Sequence, residues 1–226
     1  YQHSFILKSQ NTLLKNKMKS TFPDYIFTSS KFNYAILKNI KAFKRIKLYN
    51  IGKIHNPKIN NYKNLSHKQN LCLLAPEGIF DQAMNMLDFI KNINFDNNVK
   101  FLLRLHPDLF KKRKIFLDYL ENNQNKYFRV KLSENKLVDD LKKAKFGLYS
   151  GSSMVFTFMQ NNVYPIFLET SLSNDEINPI EMINNVKYKK INNIDQLKKI
   201  FQSKINIKDL KNNLKLGNNY FSDFNL

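Results

Sequence analysis

From Leu71 onward, short apolar runs alternate with stretches in which apolar residues recur every three or four positions. That alternation predicts parallel strands joined by helical crossovers. Leu71 to Ala75 reads as the first strand of the series. The helix after it carries Ala83, Met84, Leu87, Ile90 and Ile93 on one stripe able to cover a sheet. The run from Val99 to Leu105 is nearly continuous apolar sequence, as expected of a strand buried on both faces, and it stops at His106 and Pro107. The same reading gives a strand over Tyr127 to Leu132 and a helix over Lys136 to Ala144. A strand over Phe146 to Tyr149, a helix over Ser153 to Gln160 and a last strand over Val163 to Leu168 follow. The expectation is a five-strand α/β domain of Rossmann-like type over residues 69–170.

Upstream, the pattern is a strand-helix-strand unit: Asp24 to Thr28, Lys31 to Phe43, Lys47 to Ile51. A pair of strands cannot bury a sheet, so residues 1–68 are expected to hold the end of an incomplete N-terminal α/β domain and a linker through Asn56 and Pro57. Residues 171–226 are richer in Asn and Lys and predict a C-terminal helical extension, with helices near Ile194 to Phe201 and Ile207 to Leu214. The chain opens with neither a signal peptide nor a starting Met, which is expected if it begins part-way through a longer protein.

Composition changes this picture little. The 226 residues are 42% hydrophobic and 24% charged, with nineteen Phe, eleven Tyr, no Trp and only five Gly, which excludes disordered and collagen-like chains. Cys72 is the sole cysteine, so there is no internal disulfide; without paired Cys/His spacing no metal site is expected, and a reducing, cytoplasmic location is. The formal charge of +19 would ordinarily suggest nucleic acid or an anionic membrane. The lysines, however, are dispersed among many Asn and Ile, so no specific nucleic-acid partner is expected. The clusters Lys111–Lys114 and Lys142–Lys145 read as solvated helix faces.

Candidate chemistry gathers at the strand ends, where open parallel sheets bind ligands. One strand ends in Ala75, Pro76, Glu77 and Gly78, another in Arg104, Leu105, His106, Pro107 and Asp108, and a third in Ser150, Gly151, Ser152 and Ser153. The serine-rich turn leads into a helix whose free N–H groups and hydroxyls suit a phosphate, or serve as an ordinary cap. It lacks the second glycine of a nucleophile elbow, so serine nucleophile chemistry is not expected. His106, fixed by Pro107, is placed to donate a proton to a leaving phosphate, or to act as a structural hydrogen-bonder. Arg104 is costly in a buried strand and implies a partner, phosphate being one. Glu77 reads as a general base or as a helix-start charge. Gln2, His3 and His55 are candidates for the opposite wall of the cleft.

In this order, Ala75 to Gly78, Arg104 to Pro107, Ser150 to Ser153 and Tyr164 to Ile166 resemble the donor-binding half of GT-B glycosyltransferases. The likeness is to bacterial surface-polysaccharide enzymes: the sialyl- and polysialyltransferases, the capsule transferases and the CDP-glycerol glycerophosphotransferases. The resemblance implies a metal-independent, inverting transfer from a nucleotide-sugar co-substrate, CMP- or CDP-linked by preference, to a glycan or lipid-linked glycan acceptor at the inner face of the plasma membrane. It also implies that His106 protonates the departing phosphate, that Ser152 and Ser153 hold it, and that Glu77 and Gly78 form an acidic-glycine motif. Two positions depart from the pattern: Pro76 stands where sialyltransferases carry a second acidic residue, and Thr157 where many GT-B enzymes place a ribose-binding glutamate.

Overall fold

The computed structural model describes residues 23–52, 68–91, 93, 99–124, 128–171 and 177–220. The upstream unit is β1 (Tyr25–Thr28), α1 (Lys31–Lys38) and β2 (Lys47–Asn50), with the two strands parallel. Ser30 starts α1 by accepting from the Asn33 amide at 3.1 Å. The helix expected to reach Phe43 ends at Lys38; a separate 3-10 turn covers Lys41–Arg45 and turns Phe43 into a small core with Leu37. Gln2, His3, His55, Asn56 and Pro57 lie outside the described residues, as does Tyr127.

The remaining strands form one sheet: β3 (Gln69–Pro76), β4 (Lys100–Leu103), β5 (Val130–Leu132), β6 (Ala144–Ser150), β7 (Tyr164–Leu168) and β8 (Lys189–Ile191). Their order is β5-β4-β3-β6-β7-β8, and every pair is parallel. The sheet has six strands, not five, because residues 171–226 are more than a helical extension. Lys189–Ile191 is too short and too lysine-rich to stand out as an apolar run, yet it pairs Ile191 with Leu168 and buries it. Short, charged strands are how a sheet edge is kept from recruiting another chain.

Among the described residues, six helices cover the sheet: α2 (Phe80–Lys91), α3 (Arg113–Asn123), α4 (Leu137–Lys143), α5 (Met154–Gln160), α6 (Ile194–Gln202) and α7 (Ile207–Tyr220). The strand alternation decides which face each meets. Cys72, Leu74, Phe101, Leu103, Phe146 and Leu148 point to the layer of α2, α3 and α6. Leu71, Leu73, Ala75, Tyr149 and Phe167 point to the layer of α4 and α5. On α2 the buried stripe uses Met86 beside Ala83, Leu87 and Ile90, while Met84 is only partly covered.

Gly147 lets α5 lie close on β6: a Cβ there would sit 2.4 Å from the Phe158 ring. The last helix joins the layers, since its Leu210 belongs to the first and its Tyr220 to the second. Tyr220 stacks on Phe156 with ring centroids 3.6 Å apart, and its ring also lies 6.4 Å from that of Phe32 of α1. The upstream unit is thereby attached to the main sheet. Among the described residues, no helix is long and apolar enough to cross a membrane.

Candidate active site

Numbered from β3, the sheet runs 3-2-1-4-5-6, so the chain reverses direction across the sheet between β3 and β6. Connections from these two strands leave on opposite faces, and a crevice opens beyond their carboxyl ends. Pro76 pairs with Ser150 at the rim. Glu77 and Gly78 follow one strand; Gly151, Ser152 and Ser153 follow the other.

Gly151 has φ of +74°, the left-handed backbone that glycine adopts without strain. It also has no room for a side chain: a Cβ there would lie 2.5 Å from Glu77 Oε2 and 3.2 Å from Ile177 Cδ1. The Glu77 carboxylate therefore rests on the bare backbone of the serine turn. On its other side, a Cβ on Gly78 would meet His106 Nδ1 at 2.9 Å and Asp108 Oδ2 at 3.0 Å. Three loops predicted from sequence to converge do so, through contacts that two glycines make room for.

His106 caps the 3-10 helix Pro107–Lys112. Its Nδ1 lies 3.3 Å from the Asp108 backbone N–H and 3.3 Å from Asp108 Oδ2. A neutral ring accepts from the amide and carries its proton on Nε2; a protonated ring turns the same nitrogen into a donor toward the carboxylate. Asp108 thus supports both protonation states, and its side chain and that of His106 are open to solvent at 75% and 40%. Pro107 fixes the backbone that makes this cap.

The serines divide their roles. Ser152 Oγ accepts from the Met154 amide at 3.3 Å, so the cap of α5 is made by Ser152 rather than Ser153. Ser153 is exposed and leaves its hydroxyl uncommitted to the helix. Ser150 is buried and its Oγ has no hydrogen-bond partner among the described residues.

Arg104, expected from sequence to pair with a phosphate, has its Nη1 engaged within the protein. Its Nη1 bonds Asp140 Oδ2 at 2.9 Å, the Asn135 carbonyl at 3.0 Å and Ser133 Oγ at 3.4 Å, all beyond β5. Asp140 is fully buried and also takes bonds from Ser133 and Asn135. The partner that the arginine after β4 requires is this carboxylate.

No family model matches the chain, and no curated protein sequence does. Among solved structures, the wall teichoic acid polymerase TagF is similar at 12% identity and a TM-score of 0.48, over 95% of this chain and 56% of that one. A form of TagF soaked with CDPG gives 12% identity and a TM-score of 0.47, over 95% and 55% of the two chains. The chain spans a little over half the length of these structures.

The sequence places Asp108 in the crevice without a role; the structure gives it one, two residues from His106 and against its Nδ1. One wall of the crevice is not legible in the sequence. Ile177 and the buried Asn178 that follows it come from a segment without strand or helix pattern. Asn178 accepts from the Tyr149 hydroxyl at 2.9 Å, which anchors this wall under the crevice.

Burial holds the Glu77 carboxyl above its ordinary range. Ionising it costs more in the folded chain than in the unfolded one, so the folded protein keeps this proton to higher pH. The stability this contributes is complete below the ordinary glutamate range and is lost as pH rises through the folded value. Glu77→Gln, which never ionises, is therefore expected to melt above the wild type near pH ~7 and with it near pH ~3, below the unfolded glutamate pKa of about 4.3. Melting curves at the two pH values check this; an equal offset at both would trace the effect to something other than ionisation.

Proposed function

We propose that the crevice binds a nucleotide-activated donor and that the protein transfers the activated group to a hydroxyl of a growing surface polymer. The observation that carries this reading is the meeting of the Glu77 carboxylate, the Gly151 turn and the His106 imidazole at the switch between β3 and β6. Glu77 covers Gly151, so a phosphate is met by the serine hydroxyls and by the N–H groups that open the helix after the turn. The Ser150 and Ser153 hydroxyls are uncommitted donors beside it. An imidazole with a supported proton on either nitrogen suits a leaving phosphate, and a carboxyl raised by burial suits proton removal from an acceptor hydroxyl.

Two donor classes fit the sequence resemblance, and both release cytidine monophosphate. With a CMP-linked sugar, the acceptor oxygen bonds to the anomeric carbon as the bond from that carbon to the CMP phosphate oxygen breaks. With CDP-glycerol, the acceptor oxygen bonds to the glycerol-bearing phosphorus as the bridge to CMP breaks. In either case the acceptor proton passes to Glu77, and the departing phosphate is met by His106. The glycosyl reading leads and glycerophosphoryl transfer is the alternative.

Thermal-shift measurements with CMP, CDP, UDP, GDP and a control DNA oligonucleotide at moderate salt test the reading. A ligand at ~100 times its dissociation constant adds about 2.7 kcal/mol to stability. Selective stabilisation by cytidine nucleotides is expected, and is expected to disappear in His106→Ala. A folded sample that ignores every nucleotide and binds DNA would replace this reading with a basic nucleic-acid-binding module. Product analysis with the two donor classes then separates glycosyl from glycerophosphoryl transfer.

A further inference from the structure

The sheet has a second hollow at its amino end, about 380 Å³ in volume, on the far side from the crevice. It is bounded by Lys68 just before β3, Lys145 on β6, Lys204 between α6 and α7, and the apolar side chains of Ile205, Ile207 and Leu210. β3 advances roughly 3.3 Å per residue from Gln69 to Pro76, which puts the two openings on the order of 20 Å apart. Lys145 had read as part of a solvated helix face with Lys142, but the helix ends at Lys143 and Lys145 belongs to a strand.

Among the described residues no carboxylate lies within ion-pair distance of any of the three lysines, and Asp209, in the first turn of α7, does not line the hollow. Lys68 is held in place: its Nζ donates to the carbonyls of Leu141 at 2.7 Å and Asn161 at 2.8 Å. An ammonium carries three protons, so one remains for the cavity. Burial lowers the Lys68 pKa to about 8, the mark of a cation lacking a counter-charge. Lys145 Nζ has an aromatic face, 5.1 Å from the Phe146 ring centre, in place of an acid.

Positive charges gathered around one hollow repel one another, and an anion placed among them removes that cost. Cations approaching from the segment before β3, from β6 and from the loop between α6 and α7 match a tetrahedral phosphate better than a planar carboxylate. The other wall asks for something apolar: Leu210 is 3% exposed, while Ile207 leaves 56% of its surface to solvent. The volume lies within the range of small-molecule sites, well beyond what phosphate alone would fill.

We propose that this hollow binds a phosphate-bearing amphiphile, its phosphate among Lys68, Lys145 and Lys204 and its apolar part against Ile205, Ile207 and Leu210. The phosphate is supplied either by a lipid headgroup or by a soluble phosphorylated molecule. The site is separate from the proposed donor crevice and stands whether or not that crevice binds nucleotide.

Isothermal titration of the full chain with dihexanoyl phosphatidic acid, kept below micelle formation, and with inorganic phosphate tests the proposal. One phosphatidic acid per chain is expected, bound at least about tenfold more tightly than phosphate, with Lys145→Ala/Lys204→Ala and Ile207→Ser each weakening it by about tenfold or more. These side chains lie at the rim, so melting temperatures should match the wild type. Lys68 is left in place because it ties two carbonyls together. Flotation with phosphatidylcholine vesicles, with and without phosphatidic acid, separates the sources. Flotation on acidic vesicles that the variants lose identifies a lipid headgroup; binding of the monomer without flotation identifies a soluble ligand. Equal affinity for phosphate and amphiphile, absence of binding, or binding that survives in the variants would overturn the site.

Discussion

Arg104→Ala is expected to destabilise the fold by about 3 kcal/mol, because it leaves the fully buried Asp140 carboxylate without its cation. The figure sits at the low end for a broken buried pair because Ser133 and Asn135 still donate to Asp140. For a chain of this size that is a fall of about 6–12 °C in melting temperature. Adding Asp140→Asn, which removes the stranded charge and keeps the shape, is expected to recover much of the loss. The cycle also separates two roles for Arg104. Loss of stability with cytidine nucleotide affinity retained places the guanidinium in the scaffold, as the three bonds beyond β5 indicate. Unchanged stability with lost affinity would return Arg104 to the donor phosphate.

Gly151→Ala is expected to act in the opposite way, with a moderate effect on stability and a large one on the site. Left-handed backbone costs a residue with a Cβ roughly 1–2 kcal/mol. The new methyl would stand 2.5 Å from Glu77 Oε2, and the partly buried Glu77 side chain, rather than backbone, is what must give way. The carboxylate is pushed off the serine turn, and a displacement on the order of 1 Å can cost about 100-fold in rate. With burial relieved, the Glu77 carboxyl should also return toward its ordinary range, which carboxyl NMR titration would record. Gly78→Ala is the informative comparison. Its backbone is ordinary and its neighbours, His106 Nδ1 at 2.9 Å and Asp108 Oδ2 at 3.0 Å, belong to side chains with room to turn, so a smaller loss is expected. Equal losses in the two variants would mean that Glu77 is not the group displaced.

Much of this arrangement could be read from the sequence. Strands buried on both faces announce themselves as apolar runs: Leu71–Ala75 and Phe146–Tyr149 lie within strands, while the runs Val99–Leu105 and Val163–Leu168 contain the strands Lys100–Leu103 and Tyr164–Leu168 and extend past their ends. Topology alone places the three loops at their ends in one crevice. What escaped was whatever depends on partners distant in sequence. β8 is a strand because β7 offers it a ladder, and its Lys189-Lys190-Ile191 has no pattern of its own. Arg104 and Asp140 are separated by 36 residues, so neither charge named the other in advance. Likewise Lys145 looked solvated because it follows Lys142 and Lys143, and only the end of α4 moves it to a strand.

The strand order also sets the moment at which the crevice comes into being during synthesis. β3, β4 and β5 are consecutive and can pair as the first half emerges, but β3 must wait for β6, whose partner residues Phe146 and Ser150 lie 74 positions beyond Cys72 and Pro76. Until then the inner edge of β3, with Leu73 and Leu74 wholly buried in the finished protein, has no neighbour. Long-range parallel pairing of this kind is slow and leaves apolar edges open to association. Nascent chains stalled between residues 132 and 144 should therefore be the species most dependent on chaperones, and they contain Glu77 and His106 without the turn that brings them into use.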